Sequence, residues 1–428
     1  MLARRILRGV FQAFGGKAPI PIRIEFADKS AWESHPGARP EVLIRFRTPH
    51  AEWRSLIFFY QGVFEGYVEE EVDIEGDNPI TKLAILGHQQ GYTPASFWSR
   101  LLQNPLNAIK QVAQEIHQNN TNREQSIRNA DFHYAAPPAL FEHMLGETVG
   151  YSEGLWVPGT ETINQAKFNL YEYVARKMRL DRPGLRVLEV GSGWGYMPIY
   201  LAKRYGADVT VYNPVRRQNE YMRERFKRHG VDIPVIDADH RDIMREAGKF
   251  DRFVSIGVHE HAGYALKQYR LWAKSIATAL KDGGCGVVST TSYMSRQMTN
   301  RLTLKYVFPG GHLPSLPDTL TAFDHAGLMM VEVENLWPHY ERTMKMWRDR
   351  FADRWPEIQK ADPKFFTESF RRRWTLYLEA SSDSFRDALD LSHIVFAKGR
   401  SADHFPPVDT RHMPGDFMTG KAEPEAYR

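Results

Sequence analysis

The sequence predicts an α/β protein: a doubly wound sheet whose strands alternate with helices, preceded by a smaller α+β domain. Three observations predict it. From about residue 160, buried strand-like runs alternate with amphipathic helical segments. The first of those strands, LRVLEV, passes into a helix through the three-glycine loop GSGWG. Before residue 120 the rhythm differs. IPIRIEFAD, EVLIRFRT and SLIFFYQGVFEGYVEEEVDIEGD alternate apolar and polar positions and read as strands of a small mixed domain.

Taken in order, MLARRILRGVFQAFGGK reads as a basic amphipathic helix, suited either to an anionic membrane surface or to packing on its own domain. The helical stretch LLQNPLNAIKQVAQEIHQ ends in QNNTNREQ, a linker by composition. TINQAKFNLYEYVARKM puts Phe168, Tyr171, Val174 and Met178 on one helical face. Strands LRVLEV, ADVTVYN, DIPVIDAD, DRFVSIG and CGVVSTTSY then alternate with helices, which predicts a parallel sheet. A strand near LMMVEVENL, the helices HYERTMKMWRDRFADRW and FFTESFRRRWTLYLEAS, and LSHIVFAKG follow. The predicted boundaries are 1–120 for the small domain, 121–160 for a linker and active-site cap, 161–400 for the larger domain and 401–428 for an extended tail.

Composition narrows the class. Of 428 residues, 42% are apolar and 25% charged, which is globular, and no run approaches the length of a membrane span. The lone Cys285 excludes an internal disulfide and a cysteine-based metal site, so no metal is expected and a cytoplasmic location fits. The net charge of +4 comes with no nucleic-acid-binding motif, and no nucleic-acid partner is expected.

In LEVGSGWGYM, Gly191, Gly193 and Gly195 let the backbone turn tightly and approach a ligand at the carboxyl edge of the sheet. Two features favour S-adenosylmethionine over a dinucleotide. Glu189 stands just before the first glycine, and DADHRD places Asp239 and His240 at an adenine edge. The second strand also ends in Tyr212, Asn213 and Pro214, with no carboxylate for a ribose.

From about His133 to Gly399 the chain resembles the catalytic domain of the cyclopropane fatty acid synthases and mycolic acid methyltransferases. The matches come in order: LEVGSGWG, SIGVHEHAG (255–263), KYVFPGGHLPS (305–315), HYERTMKMW and YLEASSDSFR. EGYVEEEVDIEGD is similar to the end of that family's N-terminal lipid-binding domain. The resemblance implies a class I S-adenosylmethionine methyltransferase fold with a Rossmann-like sheet. It implies cofactor contacts at Tyr134, Tyr151, Ser152, Gly191, Gly193, Asn213, Gln218, Asp239 and His240, with Ala135 and Asn213 departing from the usual residues. The implied substrates are unsaturated phospholipid acyl chains, met as a peripheral enzyme at the inner membrane surface, and family analogy suggests a homodimer.

For the chemistry, the family implies a carbocation in an apolar tunnel, with Tyr306, Phe308, Trp347 and Tyr377 as candidate stabilising rings. A bound bicarbonate then serves as base. Glu260, followed by His261, matches the family's glutamate, and Tyr377 its tyrosine. Two positions depart: a cysteine is replaced by Glu153 and a histidine by Ser289. The larger Glu153 and the smaller Ser289 read as linked exchanges, with the Glu153 carboxylate standing in for bicarbonate and one of Glu153 and Glu260 protonated at neutral pH. Whether bicarbonate binds, and whether the product is a cyclopropane or a methyl-branched alkene, stays open. The competing readings are a methyl-branching fatty acid methyltransferase, a small-molecule N-methyltransferase and an inactive lipid-binding relative.

Overall fold

The computed structural model describes residues 2–15, 18–89, 105–134, 136–297 and 299–399, so Ala135 and the predicted tail lie outside the described residues. The chain divides into two compact units: Met1–His117 with Asn300–Val307 and Trp355–Ser384, and Gln118–Thr299 with Phe308–Arg354 and Phe385–Arg428. Two segments of the range drawn from sequence as a continuous larger domain therefore belong to the first unit. The predicted linker and cap belong to the second, much of it helical over Arg123–Tyr134 and Pro138–Leu145.

In the first unit, β1 (Ile22–Glu25), β2 (Ala31–Glu33), β3 (Val42–Phe46) and β4 (Val72–Gly76) form a sheet of order β2-β1-β3-β4. Alternating Ile22, Ile24, Val42, Ile44 and Phe46 bury one face, as a half-buried strand requires. Leu376 joins that core, and Arg372 on the same helix pairs with the buried Asp73 at 2.9 Å, which explains why 355–384 folds here. The stretch SLIFFYQGVFEGYV, read from sequence as strand, is instead helical over Pro49–Phe58 and Tyr60–Val68. Its glycines decide the matter: a Cβ on Gly62 would lie 2.4 Å from the Arg54 carbonyl oxygen, so the helices pack closer than side chains allow. The N-terminal helix Leu2–Gly15 buries Leu7, stacks Phe11 on Trp32 and pairs Arg4 with Glu52, while Leu2, Arg5 and Ile6 stay exposed.

The second unit holds a seven-stranded sheet of order β10-β11-β9-β8-β5-β6-β7. Its strands are β5 (Arg186–Val190), β6 (Asp208–Asn213), β7 (Val235–Asp237), β8 (Phe250–Ile256), β9 (Leu280–Ser292), β10 (Leu328–Asn335) and β11 (Asp390–Lys398). Strands β5 to β9 pair in parallel, and β11 runs antiparallel between β9 and β10. The sheet is therefore mixed rather than purely parallel. The strand order reverses between the neighbouring strands β5 and β8, the place at the carboxyl ends where such sheets bind ligands. Trp272, Phe253, Phe323 and Phe396 fill the core on one face.

Candidate active site

All the groups described next belong to the second unit unless stated. The β5 turn leads into helix Tyr196–Tyr205 through Gly191 and Gly193, at φ of +77° and +56°. The two glycines serve different ends. A Cβ on Gly191 would stand 2.2 Å from Val258 Cγ2, whereas one on Gly193 would meet nothing within 4 Å. Gly191 thus permits close packing with the β8 turn, and Gly193 keeps space open above the loop. Around the loop, the buried atoms Glu189 Oε2, Ser192 Oγ and Gln218 Nε2 have no hydrogen-bond partner among the described residues. Burial pushes the Glu189 carboxyl up to about 8. Buried polar atoms of this kind beside the open side of Gly193 are what a polar, cationic cofactor would complete.

The other cofactor candidates fall into four groups. Asn213 donates to Asn219 Oδ1 at 2.7 Å and Gln218 Oε1 at 3.2 Å, which orients Gln218 rather than leaving Asn213 itself available. Asp239 caps the turn His240–Glu246 and holds Arg241, while His240 sits edge-on to Trp272 at 5.2 Å. Burial lowers His240 to about 4, so its ring is neutral at pH 7. Tyr134 and Tyr151 join an aromatic cluster with His133, Phe141, Phe308 and Trp347, in which His133 stacks on Phe308 at 3.9 Å. Ser152 Oγ lies 3.3 Å from Lys167 Nζ.

Deeper in the same unit, Glu153 is 2% exposed. Its Oε1 accepts from Ser289 Oγ at 2.7 Å and meets His393 Nε2 at 2.7 Å. Burial raises the carboxyl, but His393, Ser289 and the Lys167 charge outweigh it and the net shift is downward. Lys167 is fully buried, donates to the Ser152 and Glu153 carbonyls, and burial drops it to about 7. Glu260 behaves oppositely. Burial pushes it up to about 7, with Glu153 adding to the rise, although the Thr291 N–H donates to Oε1 at 2.6 Å. Its Oε2 is buried with no hydrogen-bond partner among the described residues, and its carbonyl accepts from the His312 N–H at 2.9 Å. Burial takes His261 down to about 4.

The structure thus brings Glu153 and Ser289 into direct contact, and the two carboxyls shift in opposite directions for different reasons: the burial of Glu153 is outweighed by His393 and Ser289, whereas burial raises Glu260. Tyr377 and Tyr306 belong to the first unit, where Tyr377 packs edge-on to Trp374 at 5.5 Å. Sequence reasoning missed His393 and Lys167. His393 hides in the strand DLSHIVFAK, and only the antiparallel register that pairs it with Ser289 shows its partner. Lys167 reads on sequence as an ordinary helical lysine.

Comparison with known proteins decides the family. The model of the mycolic acid cyclopropane synthetase family matches residues 121–394. The chain belongs to this family. It is accordingly an S-adenosylmethionine-dependent methyltransferase, and the Glu189, Ser192 and Gln218 atoms left unpaired around the glycine loop fit that cofactor. The family member is similar to the cyclopropane-fatty-acyl-phospholipid synthase of Escherichia coli, 31% identical over 271 residues, which are 62% of this chain and 67% of the relative. It is 26% identical over 396 residues to a probable fatty acid methyltransferase of Pseudomonas putida, covering 90% of this chain and 93% of that one. Among solved structures, a cyclopropane synthase of Mycobacterium tuberculosis shares the fold, with a TM-score of 0.58 at 21% identity over 64% of this chain and 98% of that one.

Proposed function

We propose that this enzyme C-methylates the double bond of unsaturated fatty acyl chains of phospholipids, in the manner of a cyclopropane synthase, with Glu153 as its built-in base. The observation that carries the reading is the buried Glu153 carboxylate, held on one oxygen by Ser289 and His393 at 2.7 Å each. Similarity to the E. coli phospholipid synthase supports the substrate class.

Bound S-adenosylmethionine supplies an electrophilic methyl group; Glu189, Ser192 and Gln218 would hold it beside the glycine loop. A carbocation formed beside the aromatic cluster of Phe308 and Trp347 would meet ring electrons, each worth about 0.5–2 kcal/mol. Glu153 then takes a proton. The C–H bond breaks, its electron pair closes a new carbon–carbon bond, and the proton joins the carboxylate. Glu260, raised to about 7, holds its proton below that pH and there does not compete as base. A separate bicarbonate does not fit this arrangement. The two donors an anion would use, Ser289 Oγ and His393 Nε2, are both engaged by Glu153, whose charge would repel a second anion.

A second reading has its own support. The match to the P. putida probable fatty acid methyltransferase spans nearly the whole of both chains. A base in a new place can take its proton from the acyl chain instead of the added methyl, which leaves a methyl-branched alkene. Either product is made at a membrane surface, for which Leu2, Arg5 and Ile6 of the N-terminal helix are exposed. Among the described residues no helix is long and apolar enough to cross a membrane.

The test is incubation of purified protein with S-adenosylmethionine and vesicles of unsaturated phospholipid, followed by mass spectrometry of the fatty acids. The expected result is a gain of one CH₂, and hydrogenation then separates ring from alkene. No mass gain despite bound cofactor would overturn the lipid reading and favour a small amine substrate.

A further inference from the structure

A carboxylate out of contact with water should hold its proton, because burial disfavours the charged form. Glu153 is such a carboxylate, and a second acid, Glu260, is close enough to feel its charge. For Glu153 to act as base, some group must keep it ionised and aimed.

His393 is placed to do this. It is 0% exposed, and its Nε2 stands 2.7 Å from Glu153 Oε1. Strand β11, inserted antiparallel, aligns His393 with Ser289 of β9 on one side and Glu334 of β10 on the other. The charged and titratable groups around it are otherwise engaged. Lys167 gives its hydrogens to the Ser152 and Glu153 carbonyls. Lys177 pairs with Glu332 and Glu334, and the Tyr173 hydroxyl donates to Glu334 at 2.5 Å. His339 Nδ1 accepts from the Trp156 N–H at 2.9 Å, and Glu260 is held by Thr291. Among the described residues, His393 alone brings a side chain able to carry charge into hydrogen-bond contact with the Glu153 carboxylate.

We infer that His393 is a positioning residue of the reaction: it locks Glu153 Oε1 and favours the ionised carboxylate, leaving Oε2 to receive the substrate proton. This rests on Glu153 being the base. It accounts for a feature that the Ser289 contact alone does not, since a neutral hydroxyl orients a carboxylate but adds no compensating charge. The role also differs from a triad, in which the histidine itself takes the proton; here the carboxylate is the base and the imidazole its support.

The test compares kcat and KM across pH for the wild type, His393→Gln and Glu153→Gln, with S-adenosylmethionine binding measured by calorimetry as the control for folding. His393→Gln keeps a hydrogen-bond donor but cannot carry charge. Its kcat should fall about tenfold near pH 6.5, its acid limb should move up by about one pH unit, and activity should recover at higher pH with both KM values unchanged. A pH-independent loss, or an acid limb left where it was, overturns the inference. Glu153→Gln separates the two layers: if it retains wild-type activity, the base reading fails, whereas an inactive Glu153→Gln beside an unshifted His393→Gln defeats the His393 role alone. Should His393→Gln not bind the cofactor, His393→Gly with added imidazole replaces it. Restoration of rate by imidazole, with the wild-type acid limb, supports the role, and a cofactor-binding but unrescued variant contradicts it.

Discussion

Ser289 donates to a charged, buried acceptor, so its hydroxyl should matter more than an average hydrogen bond. Ser289→Ala is expected to lower kcat about tenfold, corresponding to about 1.4 kcal/mol, while leaving cofactor affinity unchanged in calorimetry. Glu189 predicts a different signature. With its carboxyl raised to about 8, the free enzyme holds that proton at neutral pH, and an incoming cation favours its release. S-adenosylmethionine affinity should therefore rise as pH climbs from 6 to 8, with protons released in calorimetry, and Glu189→Gln should abolish the slope. At this scale the sequence marks candidates by comparison with motifs: Glu153 and Ser289 stand out because they occupy places where the motifs suggest other side chains, and Glu260 because it matches its motif. His393 and Lys167 were not legible, since their roles depend on partners distant in the chain: the Glu153 carboxylate for one and backbone carbonyls, which no sequence pattern marks, for the other.

Two glycines two positions apart test whether the β5 turn serves fold or ligand. Gly191→Ala would push a methyl group into Val258 at a positive φ, so it should destabilise the protein by roughly 1–3 kcal/mol in denaturant unfolding and weaken cofactor binding as a consequence. Gly193→Ala has open space and meets only the cost of its left-handed backbone, about 1 kcal/mol, yet its methyl would occupy the cradle. It should bind S-adenosylmethionine at least tenfold more weakly with a nearly normal melting curve. The strand–helix alternation after residue 160 was readable because each element has the periodicity of its own geometry. The helices over Pro49–Phe58 and Tyr60–Val68 were misread, because dense aromatic residues imitate a strand and close glycine packing leaves little trace in hydropathy. The antiparallel entry of β11 was equally hidden, as strand direction is set by connections rather than by the strand's own residues.

For the molecule as a whole, buried histidines and buried acids set opposite pH limits. Burial lowers His240 and His261 to about 4 and His259 to about 3, from an ordinary 6.5. The unfolded chain binds those protons more tightly, so their contribution to stability is complete above about pH 6.5 and is lost as pH falls toward 4. Glu189 and Glu260 are raised from 4.5 to about 8 and about 7, so the folded state binds their protons more tightly. Their contribution is complete below about pH 4.5 and lost as pH rises to 8. Glu189→Gln should accordingly stabilise the cofactor-free protein increasingly from pH 5 to 8, by on the order of 3 kcal/mol at the upper end, read as melting temperature against pH. The first unit depends on Arg372, which donates to the Tyr67 and Val72 carbonyls and to Asp73. Arg372→Leu removes one of the guanidinium partners of Asp73, which keeps Arg47 at 2.7 Å, and should cost about 1.5–3 kcal/mol in urea unfolding.

If Glu153 replaces an exogenous base, turnover in carbonate-free buffer with and without added bicarbonate, for the wild type and for Glu153→Ala, will show it. The wild type should turn over unsaturated phospholipid at the same rate in both buffers. Glu153→Ala should be inactive without bicarbonate and partly restored by it, because the vacated Ser289 and His393 donors would then face an empty anion-sized space. A wild type that stops when bicarbonate is removed, or a Glu153→Ala that works as well as wild type without it, would contradict that replacement.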